Sequence, residues 1–315
     1  MWLHPDPNDA LRLAVQFCAV AQIVGLVELT LVRSELRSGG FLDWSMIGNL
    51  NPWTRTHVGS LIRRAFRRLG NRMFIWLIVL NAVVAAALLI WPSVAGLIAA
   101  AAALQVMLMK RHHVTIDGSD QMMLVVLVTC MLGRISGDAL TIRAAVSFLA
   151  AELTLAYLVA GLAKAASPYW QSGEAFPMIV QTRMYGQPMA ARMVNRHPGL
   201  GHAASYAVFC WESLFILALT APPTVVAVIF VLGVGFHAGC AVVMGLNRFM
   251  WAFVASYPAV ACTNLAIRSA LGGHTADAVT IGVAVVGLLC LAFLNRTRPS
   301  DWKARHTTLP GPLTG

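Results

Sequence analysis

An all-α, polytopic transmembrane helical bundle of about eight or nine spans is the fold that this sequence predicts, on three observations. Hydrophobic residues are 58% of the 315, against about 45–50% in soluble proteins. Charged residues are 11%, less than half the ordinary share of about 25%. The apolar residues fall into runs of the length that crosses a bilayer, separated by short stretches holding most of the charge. So few charges cannot cover a soluble domain of this size, which excludes a soluble enzyme or a disordered scaffold. The net charge of +10 and pI near 9.9 would suit nucleic acid. The cations, however, are nearly all Arg, clustered between apolar runs, and that pattern fits loops facing anionic lipid head groups. No nucleic-acid partner is expected.

A hydrocarbon core of about 30 Å needs roughly 20 apolar residues in a helix. Nine runs qualify, at about 11–32, 73–91, 93–109, 121–136, 144–165, 203–221, 223–246, 249–267 and 277–294. The start MWLHPDPNDA carries Asp6 and Asp9 rather than a basic leader, so the first run reads as a retained span. Trp91-Pro92-Ser93 and Ala221-Pro222-Pro223 read as tight turns, because proline does not continue a helix. Between the first two runs, Val58, Leu61, Ile62, Ala65, Phe66 and Leu69 follow helical spacing, with Arg63, Arg64, Arg67, Arg68 and Arg72 on the other side. Residues 57–72 thus read as a basic amphipathic interfacial helix for anionic head groups of membrane lipids. A specific anionic partner is the narrower alternative. Residues 1–295 read as one membrane domain and 296–315 as a basic, then flexible tail.

Loops on one side of a nine-span arrangement hold most of the 23 Lys and Arg, while the opposite side holds four, Arg143 and Arg268 in loops and Arg12 and Arg134 at the adjoining span ends. The positive-inside rule then puts the N-terminus outside and the C-terminus in the cytoplasm, in a cell membrane. Cys18, Cys130, Cys210, Cys240, Cys262 and Cys290 lie in apolar runs without CxxC spacing. They read as small buried hydrophobes, with no metal site expected.

Ionisable groups inside hydrocarbon cost several kcal/mol and are functional candidates by default. Glu28, Glu152, Lys164, Glu212 and His237 are such groups. Tyr157, Gly161 and Lys164 fall at i, i+4 and i+7, one helical stripe. Gly161 leaves room beside the amine for a ligand or a crossing helix. A desolvated lysine there would have its pKa lowered and could act as a neutral base. The alternative is a lysine that snorkels to the interface beside an aromatic belt of Tyr169 and Trp170. His237 can be a ligand, a proton carrier or a packing group, and Glu212 or Glu152 can pair with Lys164 or His237 across helices. Asp117 and Asp120 are pocket candidates, or else part of a helix N-terminus in which Ser119 or Asp120 caps and Gly118 turns the chain.

The run YLVAGLAKAASPYWQSGEAF, 157–176, resembles the Y-x-x-A/S-G-x-x-K…W-x-x-G-x-A signature of the HTTM (horizontally transferred transmembrane) family. This family includes the membrane part of vitamin K-dependent γ-carboxylase and bacterial sporulation-delaying-protein maturation factors. KRHHVTIDGSDQMML, 110–124, is similar to the family's turn before a span. FHAGCAVVMGLNRFMWAFVASYPA, 236–259, is similar to its F-H…G…F…A-x-x-P stretch, and Phe209-x-x-Glu212-x-x-Phe215 fits an element between them. The elements are in family order.

The resemblance implies that Lys164 is the catalytic base toward a quinone such as vitamin K hydroquinone, with His237 and Glu212 as supporting groups. Tyr157, Gly161, Trp170, Asp117 and Asp120 would line the substrate pocket. No histidine stands between Gly118 and Met123 where the carboxylases carry one, and no large soluble domain follows the last run. Carboxylation of a protein glutamate is therefore not what this chain is expected to do. Two classes follow: a carboxylase-like or quinone-dependent oxidoreductase, or a non-catalytic helper in the maturation or export of a secreted peptide or toxin. A transporter is a weaker third, since no paired broken helices mark inverted repeats.

Overall fold

The computed structural model describes residues 6–36, 39–40, 43–44, 56–111, 117–183 and 185–296, with backbone alone at 58, 62–63, 65–73 and 291–296. The tail expected at 296–315 falls outside the described residues beyond Arg296, and so do 112–116 of the second family-like element. Among the described residues the regular elements are all helices, and there is no strand.

The long helices follow the apolar runs, and each boundary has a local cause. Helix α1 is Pro7–Leu31, opened by the Asp6 side chain accepting from the Asp9 N–H at 2.9 Å with Pro7 in the first turn. Helix α2 is His57–Ile90, capped by Thr56 and stopped ahead of Pro92. Helix α3 is Ala95–Arg111 and α4 is Gly118–Ser136. The cap of α4 is Asp117, not Ser119 or Asp120: Asp120 instead reaches back to the Asp117 N–H, which completes a capping box. The structure thus moves the expected cap two or three residues earlier, and Gly118 is already helical. Gly137, at φ 68°, ends α4 in the left-handed region, which favours glycine.

Helix α5 is Ala139–Ala165. Short helices α6 (Pro168–Gln171), α7 (Ala175–Val180) and α8 (Pro188–Arg196) fill the next connection. Helix α9, Pro198–Leu214, runs on into a 3-10 segment, Phe215–Leu219. Helices α10 (Pro223–Met244), α11 (Asn247–Val254), α12 (Tyr257–Leu271) and α13 (Gly273–Arg296) complete the chain.

Among the described residues, seven helical stretches are long and apolar enough to cross a membrane: 7–31, 118–136, 139–165, 198–219, 223–244, 247–271 and 273–290, with Phe74–Ile90 a shorter apolar one. All nine apolar runs coincide with helix, but only these seven meet that length and hydropathy. The chain is a multi-pass membrane protein by this measure. Residues 57–72 are helical, but they are continuous with 73–90 in one 34-residue helix rather than a separate element.

The chain forms two compact units, Met1–Leu153 with Phe230–Ala266, and Thr154–Ile229 with Ile267–Gly315. In the first, α1 is central: it packs on α2, α4 and α11, and α3 packs on α2 and α4. The buried face of α1 carries Leu11, Ala14, Val15, Cys18 and Ala21. Polar side chains stitch it to its neighbours, Gln16 to the Leu89 carbonyl at 2.9 Å and Gln22 to the Ala101 carbonyl at 3.3 Å. In lipid, where water does not compete, such bonds and close small-residue packing hold helices together. In the second unit α9 is central, packing on α6, α7, α8 and α13.

Candidate functional site: a buried lysine–glutamate pair

Lys164 sits in the last turn of α5, and its Nζ lies 2.6 Å from Glu212 Oε2 on α9. The carboxylate side chain is 5% exposed and the lysine side chain 25%. Of the partners that sequence left open for Lys164, the structure selects Glu212. The Trp170 ring stands 5.5 Å from the same Nζ, within reach of a cation–π attraction. Its position is fixed from both sides of the following residue: the Gln171 amide donates to the Ala165 carbonyl at 2.8 Å, and the Tyr206 hydroxyl donates to the Gln171 carbonyl at 2.6 Å.

The predicted Tyr157–Gly161–Lys164 stripe faces α9. Tyr157 is buried against Trp211 and Phe215, at centroid distances of 4.9 and 4.4 Å. At Gly161 the space belongs to the crossing helix and not to a ligand. A Cβ there would collide with the Ser213 backbone nitrogen, and would meet Ser213 Oγ at 2.6 Å and the Glu212 carbonyl carbon at 2.9 Å. Glycine therefore permits the close crossing that brings Glu212 to Lys164. Thr154 Oγ1 and Ser213 Oγ are buried on this helix pair without a hydrogen-bond partner among the described residues.

The other three predicted site residues belong to the first unit. His237, on α10, is buried within an aromatic box: Phe236 at 4.9 Å, Phe253 at 5.1 Å and Phe249 at 6.5 Å, with Phe249 and Phe253 stacked. Asp117 and Asp120 meet Arg248. Its Nη2 donates to Asp117 Oδ2 at 3.1 Å and its Nη1 to Asp120 Oδ1 at 2.7 Å. Asp120, fully buried, also accepts from the Gln105 amide at 2.9 Å. Glu28 completes the cluster, 3.6 Å from Arg248 Nε and bonded to the Asn247 amide at 2.8 Å. A cavity of about 10 Å³ lies beside Gln22, Gly25, Asp120 and Arg248. Glu152 has no ion-pair partner among the described residues.

Sequence reading missed Arg248, which counted only as a loop charge; its partners lie 128 and 131 positions away. It also missed Arg111, a buried guanidinium over the rings of Phe74 at 4.9 Å and Trp44 at 5.2 Å. Burial pulls Arg111 down to about 10, opposed by Asp43, so it stays charged at neutral pH. An apolar groove of about 540 Å³ between α4 and α5, lined by Leu124, Val128, Leu132, Ala145 and Phe148, involves none of the predicted site residues. Among the described residues no cluster of His, Cys, Asp and Glu is arranged to hold a metal. No family model matches the chain, and neither a curated protein nor a solved structure was found to be similar to it.

Proposed function

We propose that this chain is an HTTM-type membrane protein in which Lys164 moves a proton to or from a quinone or comparable lipidic phenol, with Glu212 as its partner. The observation that carries the reading is the Lys164–Glu212 contact of 2.6 Å at the end of an apolar helix, with the amine still partly open. In the pair the shared proton can rest on either group; when it sits on Glu212, the neutral Lys164 amine can take a phenolic proton, and the phenolate left behind balances the ammonium that forms. Trp170 offers a flat apolar face beside the same nitrogen. The unpartnered hydroxyls of Thr154 and Ser213 are hydrogen-bonding groups that a small polar head can use.

These residues fit a hydroquinone by their chemistry: aromatic surface for a ring, an amine for an acidic hydroxyl, and no charged group in Tyr157, Trp211 or Phe215 to repel an apolar body. A hydroquinone would supply the acidic proton and a reservoir of two electrons. The chain's own part is to bind, to orient and to hold the proton at Nζ. His237 packs against Phe236, Phe249 and Phe253 in the first unit and is assigned no direct step in this reading. The nine-span count, the cytoplasmic C-terminus and the head-group role of 57–72 belong to the same reading and rest on the apolar runs and the charge distribution.

The test is to purify the protein from native membranes, extract it with organic solvent and analyse the extract for quinones. The double variant Lys164→Met/Glu212→Met is treated identically, because apolar replacement of both partners preserves folding better than removal of one. Retention by the native protein and loss by the folded double variant supports the reading. Cellular function that survives the double variant means instead a non-catalytic helper, in which the pair only ties α5 to α9.

A further inference from the structure

We propose that α8 lies flat in the head-group layer of an anionic bilayer, dipping Met189 and Met193 toward the acyl chains while Arg192 and Arg196 hold lipid phosphates. Connectivity places it there: α8 is the last helix of the connection 166–197, which joins two stretches long and apolar enough to span, 139–165 and 198–219. Such a connection emerges at a membrane surface.

The faces of α8 divide accordingly. Ala190 and Val194 are buried, and Val194 packs close to Gly201 of α9, where a Cβ would meet Val194 Cγ1 at 2.9 Å. The helix is therefore fixed to its own unit and is not a loose arm. Met189 and Met193, one turn apart, are 70% and 49% exposed. On a wheel of 100° per residue, Ala191 and Asn195 point the opposite way from the two methionines. Arg192 and Arg196 are exposed beside the methionine stripe, on the side away from the protein.

Water would penalise two large apolar side chains held outward on a helix that already has a buried face. A lipid boundary would not. The charge also matches one occupant: Arg183, Arg192 and Arg196 are exposed here, and Glu174 is the only acid between 166 and 202. Tyr185, exposed in the turn before α8, has the amphipathic ring that favours the interface. An in-plane helix with apolar residues on one side and arginines flanking them binds anionic lipid by both terms together.

The experiment places a photo-crosslinking amino acid singly at Met189, Met193 or Asn195, in full-length protein reconstituted into vesicles of mixed phosphatidylcholine and phosphatidylglycerol. Mass spectrometry then identifies the adducts. Lipid adducts are expected from 189 and 193 and few from 195, enriched in phosphatidylglycerol over the bulk mixture. In Arg192→Gln and Arg196→Gln backgrounds that enrichment should fall by up to about fivefold for each arginine removed. Position 193 carries the test should the probe at 189 prevent folding. Adducts to a second copy or another protein, equal lipid labelling from 195, or enrichment indifferent to the arginines would each overturn the proposal.

Discussion

Lys164 and Glu212 form an asymmetric pair: their polar atoms are 2.6 Å apart, yet the lysine side chain keeps 25% of its surface and the glutamate only 5%. Removing the lysine strands a carboxylate inside apolar helices, whereas removing the glutamate leaves an amine that can turn outward. Lys164→Met should therefore destabilise by about 3 kcal/mol, the low end for a broken buried pair, and Glu212→Gln by less. The double Met variant should recover most of the loss. Thermal unfolding in one detergent, compared across the three, checks the order. A single Lys164→Met that melts with the native protein would mean the contact contributes nothing to folding.

At Gly161, α9 crosses close against α5. Gly161→Ala pushes a Cβ against the Ser213 backbone and Oγ, which should cost about 1–3 kcal/mol as overpacking and lengthen the Lys164–Glu212 contact. Gly161→Ser has the same Cβ and should behave alike. A melting temperature unchanged in both variants would show that the crossing is looser than described.

Arg248 holds two carboxylates at N-cap and N3 of α4 and a third on α1. Arg248→Leu leaves Asp120 buried and unpaired, for a loss of about 3–5 kcal/mol. Gln105→Leu removes one neutral donor from the same carboxylate and should cost about 1–3 kcal/mol. Since both act through Asp120, their effects should not add, and a double-mutant cycle measures the difference. Strict additivity would separate the two contacts.

Asp138, in the turn between α4 and α5, accepts from the Ser136 and Thr141 hydroxyls and from the Leu140 and Thr141 N–H groups. These bonds, led by the two hydroxyls, hold its carboxyl well below the usual carboxylate range. The folded value is depressed, so the stabilisation is fully present above the unfolded value near 3.9. It is lost as pH falls below that and through the folded value. The melting temperature of Asp138→Asn should therefore drop less steeply than that of the native protein between neutral pH and about pH 3. Parallel curves would remove Asp138 from the acid response.

The apolar runs and their prolines made most of the fold legible. Pro92, Pro222 and Pro223 mark breaks that the helices respect, because a missing N–H is a local fact. Gly245, at φ 70°, ends α10, close to where hydropathy ended the run. The break between α11 and α12, after Val254 in Asn247–Leu271, was not legible, because both halves are equally apolar. The three short helices after α5 escaped for the opposite reason: each is shorter than any hydropathy window, and their starts, with Pro168 and Pro188 in the first turn and Gln187 as a cap, resemble ordinary loop chemistry.

At the site, the helical repeat alone aligned Tyr157, Gly161 and Lys164. The choice of Glu212 as partner required the crossing of α5 with α9, which periodicity does not encode. Asp117 and Asp120 could be read as a helix start from four adjacent residues. Arg248, which joins them from far along the chain, could not.

Helix α2 has a mechanical consequence. Its 34 residues measure about 51 Å at 1.5 Å per residue, so fitting all of it within about 30 Å of hydrocarbon needs an inclination of roughly 54°, beyond the usual limit of about 40°. Part of this rod has to stand clear of the acyl layer. With no proline from His57 to Ile90 to interrupt it, the arginine-bearing end and the turn at Trp91 are the two ends of one unbroken rod.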